Sequence, residues 1–198
     1  MDELRLLIKG KERDTYSIHY SCNGFYSGDA VAPVICCIAM VNLKSNEKHI
    51  FALHNYIKEG KCLVDAEKQL LSDFIHFFNG LKNPIVIHWR MDDLEYGFKA
   101  IQARCENYGF YDISFSELSN INLDDYFYRS LHRTLEQYQC SSLDILWGKE
   151  EAVCFNQRNY NALKLSTVGK ATGLVKLLNF AIKNGIDFQK IQEDDECL

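Results

Sequence analysis

Proline is nearly missing, with 2 in 198 residues, and no Gly/Pro/Ser-rich stretch, low-complexity segment or internal repeat interrupts the chain. Linkers, polyproline ligands and solenoid repeats are thereby excluded. Positive charge is also short: 22 Lys+Arg stand against 27 Asp+Glu, a net charge of -5. The chain as a whole lacks the basic footprint of a non-specific nucleic-acid binder, so any such site must be local. No apolar run approaches the ~20 residues needed to cross a bilayer. The segment 1–11 scatters Asp2, Glu3, Arg5, Lys9 and Lys11 among its apolar residues, which leaves no signal-peptide core. Cysteine is not scarce, with 8 residues, but there is no C-x-x-C pair, and the adjacent Cys36 and Cys37 would point to opposite faces of a strand. That spacing argues against a zinc site and for free thiols in a reducing compartment. A cytoplasmic protein without a membrane span is expected.

What is present is an ordinary globular composition, 47% hydrophobic and 25% charged, in a chain long enough for one core. A single domain over 1–188 is predicted, followed by a polar acidic tail over 189–198. The pattern predicts strands over 16–20, 34–43 and 49–54, the last two joined by a turn at Lys44-Ser45-Asn46-Glu47. Asp65 reads as the N-cap of a helix whose apolar positions are Leu70, Leu71, Phe74, Phe77, Phe78 and Leu81. Ile85-Val86-Ile87 is a short buried strand, and Asp92 or Asp93 caps a helix carrying Leu94, Phe98, Ile101 and Cys105, closed by Gly109. A short helix over 123–131, another starting at 142–146 and an amphipathic helix over 168–183 complete the chain. The fold class is α/β, a mixed sheet with helices on its faces.

Chemistry-bearing residues fall at the ends of these elements. His19-Tyr20-Ser21-Cys22-Asn23-Gly24 follows the apolar Ile18, and His88-Trp89-Arg90-Met91-Asp92-Asp93 follows the strand 85–87. Asn122-Leu123-Asp124 and Ser142-Leu143-Asp144-Ile145-Leu146 come next, and Leu165 and Lys170 precede Ala171-Thr172-Gly173-Leu174. In order and spacing these resemble D-x-E-T-T-G, H-N-x-x-F-D, D-T-L, s-L-d-x-L and H-x-x-x-x-D. Those are the motifs of the ribonuclease-H-like DEDD-type 3'-to-5' exonucleases, a resemblance that extends over 16–185 in topology. Gly24, His88 and Asp93 match; His19, Ser21 and Lys170 stand where that family has metal-binding acids, and Leu165 where it has a histidine base.

The resemblance implies a ribonuclease-H-like sheet and a degenerate active site. Two-metal cleavage needs carboxylates, whose hard oxygens hold two Mg²⁺ or Mn²⁺ ions ~4 Å apart. His19, Ser21, Asp93 and Lys170 together supply one carboxylate and one ammonium, so no metal cofactor is expected. If Lys170, Arg90 and a protonated His19 face one cleft, fixed cations take the place of metal ions, and a nucleotide phosphate or nucleic-acid end binds without being cut.

Other readings compete with this one. The fold could serve as a protein-interaction module, or Asp93, Asp124 or Asp144 could be recruited into a rebuilt single-metal nuclease site using Mg²⁺ or Mn²⁺. His19 also suits a hydrogen-bonded core histidine, Asp93 a helix cap, and Trp89-Arg90 ordinary packing in place of a base-stacking and phosphate-clamping pair. Tyr126, Phe127 and Tyr128 read as packing. Cys22 beside His19 or His88 has the residue types of a thiol nucleophile, but no oxyanion-hole motif accompanies them.

Overall fold

In the computed structural model, residues 2–24, 32–93, 96–127, 129–141 and 145–184 are described; the predicted tail over 189–198 lies outside them. The sheet is built from β1 (Thr15–Cys22), β2 (Ile35–Asn42), β3 (Lys48–Ala52), β4 (Ile85–His88) and β5 (Ser119–Asn122) in the order β3-β2-β1-β4-β5. β1 pairs antiparallel with β2, and β2 with β3, whereas β4 is parallel to both β1 and β5. This is an α/β mixed sheet of ribonuclease-H-like type.

Alternation along β1 separates the two faces. Ile18 and Tyr20 join a core with α3 (Leu63–Asn79) and α4 (Phe98–Asn107). Ser17, His19 and Ser21 point the other way, toward α8 (Tyr160–Asn184). There the Ser17 hydroxyl donates to the Ala171 carbonyl at 2.8 Å, and the hydroxyls of Ser21 and Thr167 are hydrogen-bonded at 2.9 Å. β2 repeats the division, with Ile38 and Met40 on the first face and Ala39 and Val41 on the second. All eight of its residues are buried, as its apolar run implies for a strand covered on both sides. α1 (Asp2–Ile8) and α6 (Leu131–Gln137) add Leu4, Ile8, Leu131 and Leu135 to the α8 layer.

Several predicted boundaries move. The strand expected over 49–54 ends at Ala52, and α2 (Leu53–Lys58) follows at once. Cys62, not Asp65, caps α3: its backbone is extended and its sulfur accepts the Asp65 amide at 3.5 Å. Asp65 sits in the first turn, where its charge still suits the helix dipole. Asp92 and Asp93 do not cap α4, whose N-cap is Gly97 at φ 124°. The Phe98 amide bonds back to the Met91 carbonyl at 2.8 Å, and a Cβ on Gly97 would lie 2.0 Å from that carbonyl oxygen. Only glycine permits this reversal. The helix expected over 123–131 is instead α5 (Asp124–Phe127) followed, beyond a break, by α6. Residues 142–144 and Tyr128 lie outside the described set, and Ile145 and Leu146 are not helical. α7 (Gly148–Asn156) was not predicted, and α8 begins at Tyr160 rather than 168. No helix among the described residues is long and apolar enough to cross a membrane.

Candidate functional site

Because β1, β4 and β5 run parallel, their carboxyl ends leave the sheet along one edge, the position at which open α/β sheets bind ligands. A cleft of about 880 Å³ lies there. Asn23 and Gly24 enter it after β1, Trp89 and Arg90 after β4, and Asp124 and Asp125 after β5; α6, α7 and α8 contribute His132, Glu151 and Lys170. The volume falls in the range of small-molecule sites.

His19 and Lys170 meet here because two contacts, Ser17 with Ala171 and Ser21 with Thr167, lay α8 across β1 on either side of them. Ser21 is fully buried by its bond to Thr167 and supports the wall without lining it. His19 is 5% exposed, and its Nε2 lies 3.4 Å from the Tyr96 hydroxyl. Since that hydroxyl donates to the Tyr20 carbonyl at 2.8 Å, Nε2 must carry the proton that it shares with the tyrosine oxygen. Nδ1 is then a bare acceptor, buried with no hydrogen-bond partner. Burial first, and the nearby Lys170 and His132 after it, hold the His19 imidazole well below its ordinary range. The protonated His19 of the sequence reading is therefore a neutral imidazole near pH 7.

Lys170 is 3% exposed and donates to Glu151 Oε1 at 2.8 Å. The same carboxylate oxygen accepts the Ser166 hydroxyl at 3.1 Å, and Ser166 Oγ accepts the Leu146 amide at 3.0 Å. A buried ammonium requires such a partner. At the opposite wall Arg90, at φ 53°, has its amide held by Asn122 Oδ1 at 2.9 Å and its Nε 3.2 Å from Asp124. This pair is more open, with Arg90 64% exposed. Both cations predicted to take a phosphate thus carry a carboxylate partner. Arg129, also on the cleft wall, is exposed and has none among the described residues.

The remaining candidates separate. Trp89 is buried against Phe127 with one edge on the cleft, so it is not an open stacking surface. His88 lies on the α4 face, where Nδ1 accepts the Met91 amide at 3.2 Å and the ring packs edge-on against Phe98. Asp93 is exposed in the loop after β4 and does not line the cleft. Asp124 does line it; burial raises its carboxyl pKa against the opposing pull of Arg90. Asp144 lies outside the described residues. Cys22 reaches the cleft, but burial pushes its thiol up to about 11, the reverse of what a nucleophile needs.

Two-metal chemistry does not fit the donor set of the described residues. Among the described residues no group of three or more His, Cys, Asp or Glu side chains is placed to hold a metal ion. Asp92 and Asp125 are instead drawn to the Asn122 amide nitrogen, at 3.5 and 3.0 Å. Glu151, Tyr96, Arg129 and His132 were not identified from the sequence. Glu151 alone had a signal: a lysine on the buried face of a helix calls for an acid nearby. No protein-family model matches the chain, and no curated protein matches it significantly in sequence.

Proposed function

We propose that the cleft binds a phosphate-bearing ligand, a nucleotide or a nucleic-acid end, without metal-dependent cleavage. One observation carries this reading: the carboxyl ends of three parallel strands open on a cleft whose wall holds Arg90, Arg129 and Lys170. In the resembled nucleases that edge is where metal ions meet the phosphate. Arg129 and the exposed Arg90 are the anchors at the mouth, and planar guanidinium groups suit phosphate oxygens. Lys170, bound to Glu151, supports the wall from behind. The unpartnered Nδ1 of His19 supports a ligand that brings a hydrogen-bond donor, since an unmet buried acceptor costs ~1–3 kcal/mol.

The test is thermal unfolding with inorganic phosphate, adenosine 5'-monophosphate and a single-stranded decamer, each with EDTA and with Mg²⁺. A ligand at 100 times its Kd adds about 2.7 kcal/mol, or roughly 5–10 °C in Tm for a domain of this size. The shift is expected to persist in EDTA and to shrink in Arg129→Ala and Arg90→Ala. No shift with any probe at millimolar concentration, or Mg²⁺-dependent shortening of the decamer, would overturn the reading.

A further inference from the structure

The large aromatic side chains among the described residues are mostly packed away, but Trp147 is 45% exposed. Its position is fixed nonetheless. The indole lies parallel to the His132 ring, with centroids 4.1 Å apart and an interplanar angle of 11°. The Trp147 amide donates to Glu150 Oε2 at 2.7 Å. His132 Nε2 lies 2.8 Å from the Leu146 carbonyl, which can only accept, so that nitrogen carries the proton. The Leu146 amide in turn rests on Ser166, and Ser166 on Glu151. The aromatic pair is thus tied by an unbroken chain of hydrogen bonds to the Lys170–Glu151 bridge inside the cleft.

The location matters as much as the rigidity. His132, on which the indole stacks, and Gly148, the next residue in the chain, both line the cleft, so Trp147 borders it without itself lining it, and the lining residue Arg129 lies just before α6. We propose that Trp147, backed by His132, is a nucleobase-stacking subsite at the mouth of the cleft, so that the ligand carries a base next to its phosphate. This rests on the phosphate-binding reading above and narrows it: a bare phosphate or a phosphorylated sugar leaves the subsite empty. Every base has a π-face that an exposed indole can cover without reading its edges, so the subsite is tolerant of sequence. Burial, ahead of any other influence, lowers the His132 pKa, and a neutral imidazole packs beneath the indole without burying charge.

The test compares the native protein with Trp147→Ala, Trp147→Phe and Arg129→Ala, using adenosine 5'-monophosphate, inorganic phosphate and a single-stranded decamer as probes. Calorimetry gives affinities, and tryptophan emission reports stacking directly, because Trp89 is 5% exposed and Trp147 is the open indole. The nucleotide and the decamer should quench emission in the native protein, and phosphate should not. Trp147→Ala should weaken both base-bearing probes on the order of 10-fold and leave phosphate unchanged, with Trp147→Phe in between. A tighter grip on the decamer identifies a strand end as the ligand, and equal affinities identify a free nucleotide. The inference fails, and the phosphate reading survives, if Arg129→Ala weakens all three probes while both Trp147 variants bind within twofold of native. If the native protein binds none of the probes, both are overturned.

Discussion

Removing one member of the Lys170–Glu151 pair should be among the most damaging single changes in the cleft. Their side chains are 4% and 10% exposed, so solvent does little to screen a charge left behind. Glu151→Leu strands the Lys170 ammonium and also leaves the Ser166 hydroxyl without its acceptor; Lys170→Met strands the carboxylate. Breaking one side of a buried pair costs about 3–5 kcal/mol, which for a domain of this size lowers Tm by roughly 6–20 °C. Removing both charges is different, because the desolvation penalty disappears with them. Glu151→Leu/Lys170→Met should lie near the native stability, so the coupling energy approaches the sum of the two single losses, about 6–10 kcal/mol, far above the ~0.5 kcal/mol within which independent sites add. Urea unfolding of the four proteins measures this cycle. Single variants that each cost under ~1 kcal/mol, or effects that simply add, would refute the reasoning, since they would mean that the pair is solvated or unmade in solution.

Other consequences can be checked independently. His19, His88 and His132 all have pKa values lowered chiefly by burial. Their contribution is therefore present above the unfolded value of about 6.5 and lost as pH falls below it, at up to about 1.4 kcal/mol per pH unit for the buried His19 and His88 and less for the half-buried, solvent-screened His132. Urea midpoints that stay flat from pH 7 to 5 would contradict this. Gly97→Ala places a Cβ 2.0 Å from the Met91 carbonyl oxygen at φ 124°; a loss of about 3 kcal/mol or more should appear in thermal melts, and a native-like Tm would show that the loop is built otherwise. Among the described cysteines Cys62 is the exposed one, whereas Cys22, Cys37 and Cys105 have thiol pKa values raised to about 11 or 12 by burial. Iodoacetamide at neutral pH should modify Cys62 well before those three by mass spectrometry. Preferential labelling of Cys22 would revive the thiol-nucleophile reading.

Elements with several buried apolar positions were legible in the sequence, and elements that bury one residue or a polar one were not. β2 announces itself through a continuous apolar run, and α3 through Leu70, Leu71, Phe74 and Phe78 at helical spacing. α7 leaves no such trace, because its buried residue is Glu151, held by a lysine 19 positions away. β5 reads Ser-Asn-Ile-Asn, with a single buried position, so its polar edge residues mask the period-2 signal. α2 buries only Leu53, too little to show a stripe. The site divides in the same way. His19, Arg90, Asp124 and Lys170 were found because they follow strands or sit on a patterned helix. Arg129, His132 and Trp147 lie where the pattern is irregular, and their relation to the cleft is made by tertiary contacts across α6, α7 and α8.

The charge arrangement leaves few unneutralised carboxylates among the described residues of the cleft. In a two-metal site the repulsion among clustered carboxylates is relieved by the ions, so the empty site is electrostatically strained. Here the relief is covalently built in. Lys170 neutralises Glu151 in the interior and Arg90 neutralises Asp124 at the rim, while the Asn122 amide satisfies Asp92 and Asp125. His19 adds no charge because burial keeps it neutral. The pairing is local, although Lys170 also acts on His19 and His132. The outer pair is the one a ligand can reach: Arg90 is 64% exposed, against 4% for the Lys170 side chain. On the proposed phosphate reading, a phosphate arriving beside Arg129 would compete with Asp124 for Arg90 and leave the inner bridge intact, with ligand exchange at the rim and stability in the interior.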